Sequence, residues 1–246
     1  MRFVLDGFGV LPWQDWLALA WFFAAWVGYA LFAKRRAPVR PSLLVATNRV
    51  RRQWMLAATL RENRVFDGVV VQNLSTSPSF FASTTILIIG GLLALLGTTD
   101  KANELVREIP FAVPTTALVF DIKLLLLLGI FIYSFFRFTW SLRQYSFGAL
   151  LVASAPDPHL FADAASREAF ADRAGRVVGL AAETFNDGLR GYYVGFAAVA
   201  WFFSTWTFMV ATAGIVWILY RREFHSEVLA ILVEALESAP GTGRSG

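Results

Sequence analysis

Four long stretches with almost no charge constrain this chain more than any other feature. Residues 13–33 are apolar apart from Gln14 and Asp15 at their start, and 80–98 carry no charge. Residues 120–140 are apolar between Lys123 and Arg137, and 191–220 are uncharged throughout. A helix needs roughly 20 predominantly apolar residues to cross hydrocarbon, and each stretch meets that length. Composition agrees, with 57% apolar and 16% charged residues, where a soluble domain has about 45–50% and about 25%. The expected fold class is an all-α integral membrane protein with four transmembrane helices and long cytoplasmic helical extensions. The first stretch ends in Lys34-Arg35-Arg36 rather than a small-residue cleavage site, which predicts a retained anchor instead of a signal peptide.

Basic residues orient the spans, because cytoplasmic connections carry the excess of Lys and Arg. The two long connections and their flanks hold fifteen, nine of them between Lys34 and Arg64, against six at Arg2, Lys101, Arg107, Arg221, Arg222 and Arg244. The connections are therefore expected inside and both termini in the periplasm, with Arg221-Arg222 dissenting. The resulting organisation is an outer segment 1–12, a span 13–33, a basic connection 34–79, a span 80–98, an outer loop 99–114, a span 115–140, a second connection 141–190, a span 191–220, and an amphipathic, flexible tail 221–246.

Connections this long need secondary structure of their own. Ser42 reads as an N-cap, with no Gly or Pro after it until Gly68. Ala155-Pro156-Asp157-Pro158 reads as a break, and Asp163 as the cap of a further helix. No Pro separates that helix from the fourth stretch, so a single helix over 164–220, roughly 85 Å long, is expected.

The ligand and nucleophile inventory is short. The absence of Cys excludes thiolate metal sites and thiol chemistry. The only histidines, His159 and His225, lie outside the spans and cannot supply the facing imidazoles of a membrane haem. HExxH, GxSxG and P-loop patterns are missing. No catalytic residue, metal ligand or cofactor is expected, and no nucleic-acid partner. The expected partners are the bilayer, anionic lipid beside the basic connection, and either further copies of the chain or a membrane complex.

Three groups of candidate residues remain. Asp121 and Lys123 are ionisable within a span, near its outer end, where Lys123 can snorkel to the interface. Gln72, Asn73, Arg143, Glu183, Asn186, Asp187 and Arg190 gather at the cytoplasmic mouth; the i,i+3 and i,i+4 spacings of Glu183, Asp187 and Arg190 put these three on one helical face, as a structural network or a vestibule lining. Gly90, Gly91, Ala94 and Gly97, with Gly191 and Gly195, are small residues suited to close helix packing.

Several short motifs recur in a spaced order: Arg51-Arg52-Gln53-Trp54, Val71-Gln72-Asn73, Phe81-Ala82-Ser83-Thr84, Trp140-Ser141-Leu142-Arg143-Gln144-Tyr145, Arg190-Gly191-Tyr192-Tyr193 and Leu219-Tyr220-Arg221-Arg222-Glu223-Phe224. In these motifs the chain resembles the bacterial and plant membrane family known as domain of unknown function 599, over most of residues 10–230. The resemblance implies a four-helix membrane protein and supplies no catalytic residues. Where that family has a Gly-Pro break in the last span, this chain has Ser204-Thr205-Trp206. The functional expectation is a non-enzymatic protein of a bacterial inner membrane that acts through assembly, as a homo-oligomer or an accessory subunit. The alternative is an oligomeric channel or transporter for ions or small solutes, with its pore between protomers.

Overall fold

The computed structural model describes residues 11–36, 41–98 and 116–238. Among them every regular element is helical: α1 (Trp13–Arg36), α2 (Leu43–Ala58), α3 (Val65–Leu96), α4 (Ala117–Ala153), α5 (Ala164–Val199), α6 (Thr205–Phe224) and α7 (Glu227–Glu237), with short 3-10 turns at Pro158–Leu160 and Ala200–Phe202. Three helices are long and apolar enough to cross a membrane, those over Trp13–Ala33, Val65–Leu96 and Ala117–Ala153. The expected outer loop 99–114, most of the outer segment 1–12 and the tail beyond Ser238 lie outside the described residues.

Local chemistry sets most helix ends. Ser42 starts α2 by accepting the Val45 N–H on its hydroxyl. Asp163 and Ser166 cap α5 reciprocally, the Ser166 N–H donating to Asp163 Oδ1 at 2.6 Å and the Asp163 N–H to Ser166 Oγ at 3.3 Å. Between α2 and α3 the chain unwinds at 59–64, ahead of Gly68. There Arg64 donates to the carbonyls of Ala58, Ala155 and Pro156, tying the turn to the Pro-rich end of α4. Helix α3 starts at Val65 and runs through Pro78 without interruption, past the span boundary expected near residue 80.

The chain forms two compact units. The first contains the described residues of 1–35, 83–135 and 188–219; the second contains those of 36–82, 136–187 and 220–246. Helices α3, α4 and α5 therefore each contribute to both. The core of the first unit joins Phe22, Phe120, Leu124, Leu127, Val194, Trp201 and Phe208, with Trp201 stacked on Phe208 at 5.3 Å. That of the second joins Met55, Val71, Tyr145, Val152, Ala174, Val178 and Ala181. In the second unit α2 lies close on α5, because Gly175 and Gly179 leave room: a Cβ at Gly175 would stand 3.1 Å from Arg52 Cα, and one at Gly179 3.0 Å from Asn48 Oδ1.

One expectation fails here. The single helix over 164–220 does not form: α5 ends at Val199, passes into the 3-10 turn and breaks at 203–204 before α6 begins. Ser204 then acts as an N-cap, its Oγ accepting the Thr207 N–H at 3.0 Å, while Thr207 Oγ1 donates back to Ala200 O at 2.9 Å. Hydroxyls here compete with the helical ladder and end it without Gly or Pro. The fourth uncharged stretch is thus divided between two helices.

The described part of the tail packs on α2. Leu229 and Leu236 of α7 bury against Ala46 of α2, with Leu232 and Val233 around them, and the Leu44 N–H donates to Glu223 Oε1 at 3.2 Å. This contact sets α7, within the expected tail, beside α2, within the expected first connection.

Candidate functional site

The most strongly built polar site of the first unit surrounds the helix break. Ending α5 leaves terminal carbonyls without helical donors, and starting α6 leaves N–H groups without acceptors. Lys123, buried on α4, donates from Nζ to Trp201 O at 2.9 Å. Its ammonium also lies 5.4 Å from the Trp201 ring centroid and 5.7 Å from that of Phe202. Asp15, buried on α1, accepts from Trp201 Nε1 at 2.9 Å and from Thr205 Oγ1 at 2.5 Å, both on Oδ1. A cation thus stands at the C-terminal end of one half-helix and a carboxylate at the N-terminal end of the next, each complementing the local dipole. The snorkelling expected of Lys123 does not occur, because the unwound backbone offers its ammonium an acceptor inside the protein. Asp121, two residues earlier on α4, is half-buried. Neither Asp15 nor Trp201 was among the sequence candidates; a carboxylate inside an apolar stretch was the signal for Asp15.

Asp187, a cytoplasmic-mouth candidate buried on α5, pairs with Arg137 of α4. Arg143, Gln72 and Asn73 are exposed, and Asn186 is half-buried. Arg190 lies in the first unit, with its guanidinium 5.7 Å from the Tyr29 ring centroid. Glu183 instead joins a chain of polar groups with α2: Arg51 Nη1 donates to Asn48 Oδ1 at 2.8 Å, and Asn48 Nδ2 to Glu183 Oε1 at 3.0 Å. Burial pulls the Arg51 guanidinium below its ordinary value, while Tyr145 and Glu183 oppose the shift. Other residues of the first quoted motif are engaged as well. Arg52 pairs with Asp172, and Trp54 Nε1 donates at 2.7 Å to Asp67, which Arg61 also meets.

The small residues divide sharply. A Cβ at Gly191 would stand 2.2 Å from Ser134 Oγ, and one at Gly195 3.3 Å from Phe131 Cζ, so both permit close approach of α5 to α4. Gly90, Gly91 and Ala94 on α3 and Gly97 just after it are exposed, and a Cβ at Gly90 or Gly91 would meet nothing within 4 Å.

Among the described residues no group of His, Cys, Asp and Glu could hold a metal ion. The family model described as Protein of unknown function, DUF599 matches residues 17–228. No curated protein and no solved structure matches the chain.

Proposed function

This chain belongs to the DUF599 family of proteins of unknown function, and from that premise we propose that it is a non-enzymatic integral protein of a bacterial inner membrane that acts through assembly, as a homo-oligomer or an accessory subunit. The observation that carries this reading is the contrast between an engaged interior and an open outer face. Inside the first unit the polar side chains serve one another or the backbone: Lys123 and Asp15 hold the break, Thr85 shares a 2.6 Å hydrogen bond with Tyr192, and Ser134 donates to Ile130 O. Outside it, Gly90, Gly91, Ala94 and Gly97 stand exposed beside Leu87 and Leu93. Small residues on an apolar face let two membrane helices approach closely.

The break and the α2–α7 contact support a membrane topology of five helical passes, counting the two arms on either side of Ser204 as short passes. The N-terminal segment then lies in the periplasm, and both connections and the tail lie in the cytoplasm. Moving Arg221, Arg222 and Arg244 from the poorer side of six to the richer side of fifteen raises the basic contrast to eighteen against three. The dissent of Arg221-Arg222 disappears.

A cysteine introduced at Ala94 tests the assembly reading directly, since the chain has none of its own. Oxidative crosslinking in native membranes should join copies through Ala94→Cys and leave a cysteine at Leu180, exposed in the second unit, largely uncrosslinked. A monomeric particle by mass in detergent, with no crosslink at Ala94→Cys and no co-purifying subunit, would sink it. The channel alternative requires the same assembly and adds a pore between copies. Ion conductance by the reconstituted wild-type oligomer, lost on occluding Ala94→Cys with a bulky thiol reagent, would select it.

A further inference from the structure

Within the second unit α3 has two unlike faces. Asp67, Val71, Pro78 and Ala82 are buried, and Asp67 accepts the Trp54 indole N–H. Phe66, Val69, Asn73 and Thr76 are all exposed. At about 100° per residue these four share one stripe, on the side of the helix turned away from Val71 and Pro78. Their steps of three, four and three residues are those of a heptad repeat, with Phe66 and Asn73 at its first position and Val69 and Thr76 at its fourth. Exposed Phe80, Leu87 and Ala94 follow Asn73 at seven-residue intervals on the same helix, so the repeat runs on to the small residue chosen above to report assembly. Charge does not oppose a partner here: α3 has no charged residue from Gly68 to Leu96, and Val65, Val70, Gln72 and Ser77 flank the stripe with neutral groups. The stripe fits a surface that is apolar opposite Phe66 and Val69 and polar opposite Asn73 and Thr76. A second copy meets that demand by symmetry, each residue facing its own counterpart. Insertion gives every copy the same orientation in the membrane, so two such helices meet parallel.

We propose that the exposed stripe over residues 66–76 is a parallel coiled-coil contact with α3 of a second copy of this chain, in which the Asn73 amides of the two copies pair. Phe66 and Val69 meet their counterparts beside that pair and keep water from it. A lone amide at the first heptad position fixes register and the number of strands at some cost in stability, because a shifted partner would set it against an apolar group. A seven-residue repeat also gives the two helices a left-handed crossing. The inference deepens the assembly reading and rests on it: the partner is a second copy, and the register is Asn73 to Asn73.

The test uses the full chain in native membranes, with one cysteine at a time along α3. Oxidation should join copies at Val69→Cys, Asn73→Cys and Thr76→Cys, where a disulfide can close across the contact. It should join them far less at Gln72→Cys and Ser77→Cys, which flank the stripe, and at Ala169→Cys, exposed on α5. The yield should thus rise and fall along α3 with the heptad. Asn73→Asp sets two carboxylates against each other and should abolish the dimer in detergent chromatography at neutral pH. The melting temperature of its monomer should stay that of the wild-type monomer, since the residue is exposed. Asn73→Leu should hold copies together more tightly and admit larger oligomers. Equal yields at every position, or a dimer that survives Asn73→Asp, would overturn the proposal. Crosslinks at Ala94→Cys, or a co-purifying subunit, with none at residues 69–76 would refute this contact and leave the assembly reading standing. A monomer by mass with no crosslink at any of these positions and no co-purifying subunit would refute both.

Discussion

The two units bury charge in different ways. In the first, Lys123 and Asp15 are held largely by a backbone that the break at 203–204 makes available, with Trp201 touching both. In the second, charges are matched by opposite charges, Asp187 with Arg137 and Asp172 with Arg52 on neighbouring helices, and Asp67 with Arg61 of the turn before α3. The difference follows from surroundings. An ammonium in an apolar interior needs an acceptor that cannot swing away, and an unwound helix end is fixed by its own chain. Arg52 and Arg61 are still partly exposed, and water weakens the pairs they make.

The largest effect should come from the first unit. Lys123→Met removes the donor from Trp201 O and leaves Asp15 buried without its neighbouring positive charge, at a cost of about 3–5 kcal/mol. The melting temperature in detergent should fall by many degrees, and Asp15→Asn added to Lys123→Met should recover part of the loss. A melting temperature equal to that of the wild type would show that the break does not depend on these groups.

Next in size is the pair of the second unit. Arg137→Ala strands the buried Asp187 carboxylate and should cost about 1–3 kcal/mol, with rescue by Asp187→Asn. Arg190→Ala removes the guanidinium from over the Tyr29 ring, a contact worth about 0.5–1 kcal/mol. Arg143→Ala should be nearly silent, as an exposed side chain should be. The comparison is sharpened by double-mutant cycles from thermal melts. Coupling of Asp187 to Arg190 but not to Arg137 would reverse the assignment.

These pairs show how far the sequence could be read. The caps at Ser42 and Asp163 and the break at Ala155-Pro156-Asp157-Pro158 were legible because each is decided within four residues. The three apolar helices were legible because length and hydropathy are properties of a single segment. The break at Ser204 was not, since Asp15 and Lys123 that secure it are remote along the chain. Spacing on one helix likewise pointed Asp187 toward Arg190 and gave no sign of Arg137, 50 positions away. A helical repeat identifies which residues share a face and says nothing of what lies opposite.

The glycines break the comparison along another line. Gly191→Ala would drive a methyl group against Ser134 Oγ and should cost about 1–3 kcal/mol. Gly90→Ala meets open space within one chain and should gain about 0.5–1 kcal/mol of helix stability. If the exposed face of α3 is an interface between copies, the same Gly90→Ala should weaken the oligomer while leaving the monomer's melt unharmed. Chromatography at several detergent dilutions, run beside the melting curve, distinguishes the two effects.

The smallest effect is a pH dependence at the start of α5. The Asp163 carboxyl is held below its ordinary value, first by the Ser166 N–H and then by the Ser166 hydroxyl. A carboxylate with a lowered folded value stabilises above its unfolded value, and the contribution is lost as pH falls through the folded one. Fraying of the first turn of α5 should therefore increase in acid, on the low side of the ordinary carboxylate range. Asp163→Asn retains an acceptor for the Ser166 N–H without the titration, so it should flatten the dependence while keeping the cap. Amide exchange at Ser166, followed across acid pH and corrected for the intrinsic rate, is the measurement. An identical pH profile in Asp163→Asn would assign the fraying to another group, and a protection already lost at neutral pH would show that the cap depends on charge rather than on an acceptor alone.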